Sequence, residues 1–195
     1  MGSTKALGYD GFPVIFYQCF WYLIGKDVTH FYLKALNREL PLEEVNFTKI
    51  VLIPKTSAAN SMSSCHPISL CSVLYKVISK VLANRLRIVL EDCIDEAQGA
   101  FVPRRLISDN VLVAYELMHT LKKKRLGKKG SFALKLDMSK AYDRVEWGFI
   151  ECMMLRMEFD ARWVELIMHS ISSVSYSVMV NDGISEILYL NRGLR

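Results

Sequence analysis

Apolar and polar positions change rhythm several times along the 195 residues, and each rhythm predicts an element. A turn-rich opening, Gly8-Tyr9-Asp10-Gly11-Phe12-Pro13, leads into an aromatic-rich stretch at 16–23 and a helical stretch at 28–40. Those aromatics are expected in the core. Lys49-Ile50-Val51-Leu52-Ile53-Pro54-Lys55 is a β-branched run closed by a proline, and 56–64 is polar and Ser/Asn-rich, which predicts strand, loop and return. From Ser69 the spacing turns helical, with Val73, Leu74, Val77, Ile78, Val81, Leu82, Leu86, Val89 and Leu90 on one stripe and Lys76, Lys80, Arg85 and Arg87 interspersed. A further helix starts at the cap candidates Ser108 or Asp109 and uses Val111, Leu112, Tyr115, Met118 and Leu121.

The period then drops to two. A strand is expected at 131–137, with Phe132, Leu134 and Leu136 on one face and Ala133, Lys135 and Asp137 on the other. Helical spacing returns at 145–157 and, after the cap candidate Asp160, at 163–171. Residues 174–180 alternate again, Asn181-Asp182-Gly183 is a hairpin turn, and 184–190 supply the second strand. The sum is an α+β fold with an antiparallel hairpin after two helices.

Composition narrows the class. At 51% hydrophobic residues the chain has ample material for a core. No run reaches the roughly 18 apolar residues of a membrane span, so no membrane partner is expected. Met1-Gly2-Ser3 suggests myristoylation, but Ala6 stands where that motif wants Ser or Thr, and the opening lacks a signal peptide; an intracellular protein is expected. Five cysteines without a C-x-x-C pair read as reduced thiols with no disulfide-linked partner. Cys65, His66 and Cys71 resemble half a zinc site but lack a second ligand pair. The net charge of +5 is mild, yet Lys122, Lys123, Lys124, Arg125, Lys128 and Lys129 cluster around Gly127. Such a run is a solvated loop or a contact to nucleic-acid phosphates.

The segment Leu134-Lys135-Leu136-Asp137-Met138-Ser139-Lys140-Ala141-Tyr142-Asp143-Arg144-Val145 holds the most chemistry. A carboxylate exposed at the end of a strand suits Mg²⁺, a hard cation that takes oxygen donors. Two-metal phosphoryl transfer needs at least one more carboxylate converging on the same point. The same residue types equally make helix caps and turns, and chemistry alone leaves both readings open.

The wording of that segment, through Glu146-Trp147, resembles the first catalytic motif of reverse transcriptases, in the form found in plant non-LTR (LINE-type) retrotransposons. Ordered likenesses extend from Asp10 to Arg195. Asp10-Gly11-Phe12 looks like the family's upstream element; Leu52-Ile53-Pro54-Lys55 and Pro67-Ile68-Ser69-Leu70-Cys71-Ser72-Val73-Leu74-Tyr75-Lys76 look like its fingers; Gln98-Gly99-Ala100-Phe101-Val102-Pro103 and Asp109-Asn110-Val111 look like the next block. Val174-Ser175-Tyr176-Ser177-Val178 and Arg192-Gly193-Leu194-Arg195 resemble the family's segments downstream of the first catalytic motif.

The resemblance implies an RNA-directed DNA polymerase fold, with an upstream helical segment at 1–44, fingers at 45–130 and a partial palm with antiparallel strands and packed helices at 131–195. It implies an RNA template, a DNA primer, deoxynucleoside triphosphates and Mg²⁺. Asp137 then matches a metal-binding catalytic carboxylate, and Met138 beside it a backbone contact. Tyr142 matches the ring that rejects a 2′-hydroxyl, Lys55 a lysine meeting the triphosphate as a point charge, and Arg105 an arginine near the incoming nucleotide.

Three positions depart from the family's wording. His66 stands before Pro67 where arginine is usual, which weakens any triphosphate contact there. Arg104 and Glu158 each occupy a place where the family commonly has glycine; if the glycine at 104 served a positive φ, arginine strains that loop by roughly 1 kcal/mol or more. The family's Gln-Gly-Asp-Pro and Tyr-Ala-Asp-Asp segments are not among the 195 residues. With Asp137 as the one matched metal ligand, these residues by themselves are expected to lack polymerase activity. A nucleic-acid-binding remnant and a decayed reading frame are the competing expectations.

Overall fold

The structure is a computed structural model that describes residues 2, 7–58, 60–100, 102–124, 130–180 and 183–194. Arg125, Lys128 and Lys129 of the basic run, Asn181 and Asp182 of the turn, Phe101 and Arg195 lie outside the described residues.

The chain divides into two compact units, one of Met1–Leu82 with Ala141–Arg195, the other Ala83–Lys140. In the first, α1 (Val14–Cys19) and α2 (Trp21–Leu36) precede β1 (Phe47–Pro54). The run at 49–55 forms β1 as expected, and the loop returns as β2 (Cys65–Cys71), antiparallel with Val51 opposite Ile68. Ser72 then starts α3 (Val73–Cys93): its Oγ accepts the Tyr75 N–H at 3.1 Å and donates to the Val45 carbonyl at 2.8 Å. The helical spacing read from Ser69 thus begins four residues late, because 69–71 still pair with β1.

After α5 (Ala141–Arg144) and α6 (Trp147–Arg156), Asp160 caps α7 (Ala161–Ser172), its carboxylate accepting the Arg162 N–H at 2.9 Å. Next comes β3 (Ser175–Val180), and β4 (Gly183–Ile184) turns back on it. The described sheet has the order β2-β1-β3-β4, and β1 pairs with β3 in parallel, Thr48 opposite Tyr176. The sheet is therefore mixed, not purely antiparallel. This is possible because β1 and β3 are far apart in sequence and α3, α6 and α7 lie between them.

The second hairpin strand at 184–190 keeps its ladder only briefly. Met179 pairs with Ile184, but the next bridge joins Tyr176 to Leu188, one residue out of step. Ser185 fills the bulge, its Oγ accepting the Val178 N–H at 2.9 Å.

Two clusters make the core of this unit. Ala35, Leu42, Ile78 and Leu82 pack with Trp163, Leu166 and Ile167, and Trp147, Val174 and Tyr176 pack with Ile50, Ile150 and Ile171. The aromatics at 16–23 are not the core: Phe20, Trp21 and Tyr22 are exposed. Apart from Gln18 the stretch is apolar or aromatic throughout, so periodicity could not say which face would find a partner.

The second unit holds the end of α3 and α4 (Ile107–Lys123). Helix α4 begins one residue before the nearer cap candidate, and Asp109 serves it by accepting the Leu106 N–H at 3.3 Å. The strand expected at 131–137 is not formed. Residues 130–138 carry no ladder hydrogen bond, and Phe132, Leu134 and Leu136 are largely exposed. Alternation supplies a strand with faces, but a strand also needs a neighbour for its N–H and C=O groups.

Candidate active site

Around Tyr142 the first unit builds a small, closely tied arrangement. Helix α5 ends at Arg144, and the chain then runs antiparallel to the segment after β4, with a bridge between Glu146 and Arg192. Leu194 N–H donates to the Tyr142 carbonyl at 2.9 Å and Gly193 N–H to the Val145 carbonyl at 2.8 Å. Trp147 is buried and donates its Nε1–H to the Gly193 carbonyl at 2.8 Å, which satisfies the indole where it leaves water. Gly193 has φ of 92°, and a Cβ there would stand 3.4 Å from the Asp143 carbonyl oxygen. Position 193 therefore needs glycine for its backbone conformation.

Gly193 and Leu194 also close one end of a cavity of about 260 Å³, whose other walls include Asn46, Thr48, Tyr75 and Tyr176. Asn46 is fully buried; its Nδ2 donates to the Ser170 carbonyl at 3.0 Å and the Ser173 hydroxyl at 2.9 Å, while its Oδ1 has no partner. Tyr75 donates its hydroxyl to the same Ser170 carbonyl at 2.7 Å. Burial pushes the Tyr75 phenol above its ordinary range, partly offset by its hydrogen bonding to Ser170 and the neighbouring Asn46 amide. This polar hub carried no signal in the sequence, since its partners are 124 and 127 residues apart.

The residues singled out by motif are divided between the two units. Tyr142 is exposed in the first unit and held by its own backbone. Lys55, just past β1, bonds through Nζ to the Ser63 carbonyl at 2.9 Å, and its N–H to the Ser64 carbonyl at 2.9 Å. In the second unit, Asp137 and Met138 are exposed. Arg105 does not project freely: its guanidinium donates to the Asp95, Gln98 and Ile94 carbonyls, the last two at 2.8 and 3.2 Å. That geometry ties a loop together. Lys122, Lys123 and Lys124 end α4, and Lys124 Nζ reaches the Ser131 hydroxyl at 3.0 Å. Among the described residues no three of His, Cys, Asp and Glu converge on one point, so those present do not by themselves fit a divalent ion.

The sequence from 53 to 195 matches the family described as reverse transcriptase (RNA-dependent DNA polymerase). The chain belongs to the reverse transcriptase family. Among relatives of this reverse transcriptase chain, the "Transposon TX1 uncharacterized 149 kDa protein" of Xenopus laevis is 31% identical over 196 residues, covering all of this chain and 15% of that protein. The "Retrovirus-related Pol polyprotein from type-1 retrotransposable element R2" of Nasonia vitripennis is 31% identical over 99 residues, 51% of this chain and 9% of that protein. The chain thus spans 15% or less of the length of these curated relatives, both proteins of mobile elements. Among the described residues no helix is long and apolar enough to cross a membrane.

Proposed function

We propose that this reverse transcriptase chain contributes the fingers and part of the palm to RNA-templated DNA synthesis by a non-LTR retrotransposon, of the plant LINE type by the wording around Asp137. The observation that most supports this is the pairing of Tyr142 and Val145 with Gly193 and Leu194, which joins two family motifs about 50 residues apart in sequence. On this reading 45–130 are fingers, 131–195 palm, and the upstream helices an accessory segment.

Tyr142 is the steric filter against a 2′-hydroxyl, its backbone position fixed by the Leu194 N–H. Lys55 meets a triphosphate once its amine leaves the Ser63 carbonyl. Asp137 is the carboxylate this reading would place toward Mg²⁺, a hard cation that takes oxygen donors. Lys122, Lys123 and Lys124, with Arg125, Lys128 and Lys129, hold template or primer phosphates.

The test is primer extension on an RNA template with deoxynucleotides, by the longest open reading frame that contains these residues. Synthesis abolished by Asp137→Asn, with nucleic-acid binding retained, is the expected result. Tyr142→Ala in the same assay should raise ribonucleotide incorporation roughly tenfold or more. Synthesis indifferent to Asp137 would sink the catalytic assignment. Salt-sensitive binding with no synthesis from that frame would leave a nucleic-acid-binding remnant.

A further inference from the structure

The first turn of α2 carries a built aromatic surface outside the site just described. Trp21 is 50% exposed, and Gly25, one turn on, is buried beneath it. A Cβ at Gly25 would stand 2.9 Å from the indole Cε2 and 3.1 Å from both Cδ2 and Nε1. Three ring atoms at nearly equal distance mean that the ring lies face-on over the glycine. One face of the indole is against the helix, and the glycine makes that position available.

Beside the ring runs an open groove of about 550 Å³, lined by Trp21, Tyr22, Lys26, Thr29, His30 and Leu33 around Gly25. Tyr22 is 78% exposed. No carboxylate lines this groove, while Lys26 and His30 do. Flat rings with a cation and hydroxyls beside them suit a nucleobase and its phosphate; a purely apolar peptide would leave Lys26, Thr29 and His30 unmatched.

We propose that this groove is a stacking site for single-stranded nucleic acid, with a base on the outer face of Trp21 and a phosphate near Lys26. The proposal rests on the reverse transcriptase reading only in taking nucleic acid as the polymer at hand. Stacking on an aromatic ring tolerates any base, so the site grips a strand without reading its sequence.

The experiment is fluorescence anisotropy of labelled 20-nucleotide oligo(U) and oligo(dT) with the full 195-residue chain at low salt. Trp21→Ala should weaken binding roughly tenfold, and Trp21→Phe should recover part of the loss. Gly25→Ala is the sharper variant: its methyl group displaces the ring while alanine favours the helix, so affinity should fall with the melting temperature unchanged or raised. Preference for oligo(U) or for oligo(dT) supports the site equally and says which strand it holds.

Unaltered affinity in both Trp21→Ala and Gly25→Ala overturns the proposal, as does an unmodified chain that binds neither oligonucleotide. If binding is lost only when Lys122, Lys123 and Lys124 are replaced by Ala, the strand is held there and the groove proposal falls, while the polymerase reading survives under its own primer-extension test.

Discussion

The two compact units were written in the same hydrophobic language and ended differently. In the first, Ile78 and Leu82 of α3 meet Ala35, Leu42 and the side of α7 that bears Trp163, Leu166 and Ile167. In the second, α4 has an equally regular stripe yet no buried residue, and Leu112, Tyr115 and Met118 are all more than half exposed. Periodicity decides what an element is and which face is apolar. Whether that face leaves water depends on another element arriving, which is a property of the whole fold.

Cutting the same kind of side chain from each unit gives the largest expected effect and tests this contrast directly. Ile78 is 1% exposed, so Ile78→Ala should cost about 2–5 kcal/mol in urea unfolding, through lost burial and a residual cavity. Leu112 is 61% exposed, and Leu112→Ala should change stability by no more than about 0.5 kcal/mol. Equal losses at the two positions would mean that α4 is packed in solution and that the contrast is wrong.

Legibility in the sequence divides along the same line. Local chemistry read well: β1 with its proline end, the return through β2 and the Asp160 cap all depend on neighbours within a few residues. So did the glycine place at Arg104, whose φ is 65°, and Glu158, in the other glycine place, has φ of 60°. What failed needed distant partners. The strand at 131–137 had the right alternation and no ladder, and the aromatic-rich stretch at 16–23 had only Gln18 to mark a polar face. The parallel pairing of β1 with β3 joins residues about 128 apart. Of the candidate site, the motif residues were visible by likeness, but the Trp147–Gly193 hydrogen bond and the Asn46 hub were not.

That hub gives a smaller effect of the opposite character, polar and long-range. Asn46→Ala removes the two donors that fasten the start of β1 to the end of α7, a loss of roughly 2 kcal/mol. The side chain takes an unpartnered buried Oδ1 with it, which returns part of that cost. A net loss of about 1–2 kcal/mol by chemical denaturation is expected. Stabilisation instead would mean that the orphaned acceptor outweighs both hydrogen bonds.

Backbone strain comes next, and it occurs in both units. Glu158 ends α6 in a left-handed turn, with its N–H on the Leu155 carbonyl at 3.1 Å and the Phe159 N–H on Met154 at 3.2 Å, the pattern glycine normally occupies. Arg104 has the same conformation in the second unit, in the turn after Val102. Both side chains are exposed, so Glu158→Gly and Arg104→Gly should each relieve about 1 kcal/mol, less the added freedom of the unfolded glycine. If packing matters less than local geometry here, thermal melts will show the two gains to be alike despite the different surroundings.

The smallest effect comes where the same strain meets a compensating contact. Arg38 ends α2 with φ of 63°, its N–H on the Ala35 carbonyl at 3.2 Å and the Glu39 N–H on Lys34 at 2.8 Å, so its backbone repeats that of Glu158. Unlike Glu158, it holds a side-chain partner, Nη2 lying 3.0 Å from Glu165 Oε2 on α7. Both side chains are substantially exposed, and such a pair contributes about 0.2–1 kcal/mol. Arg38→Gly should therefore gain from the turn and lose the ion pair, for a net change within about 0.5 kcal/mol of zero at low ionic strength. Salt separates the two terms, because screening weakens the pair and leaves the backbone untouched. Melts in about 1 M NaCl should move Arg38→Gly toward the gain of Glu158→Gly, while Glu158→Gly itself stays put. A salt-independent Arg38→Gly would mean that Glu165 contributes nothing and that the strain at this helix end is smaller than at the other.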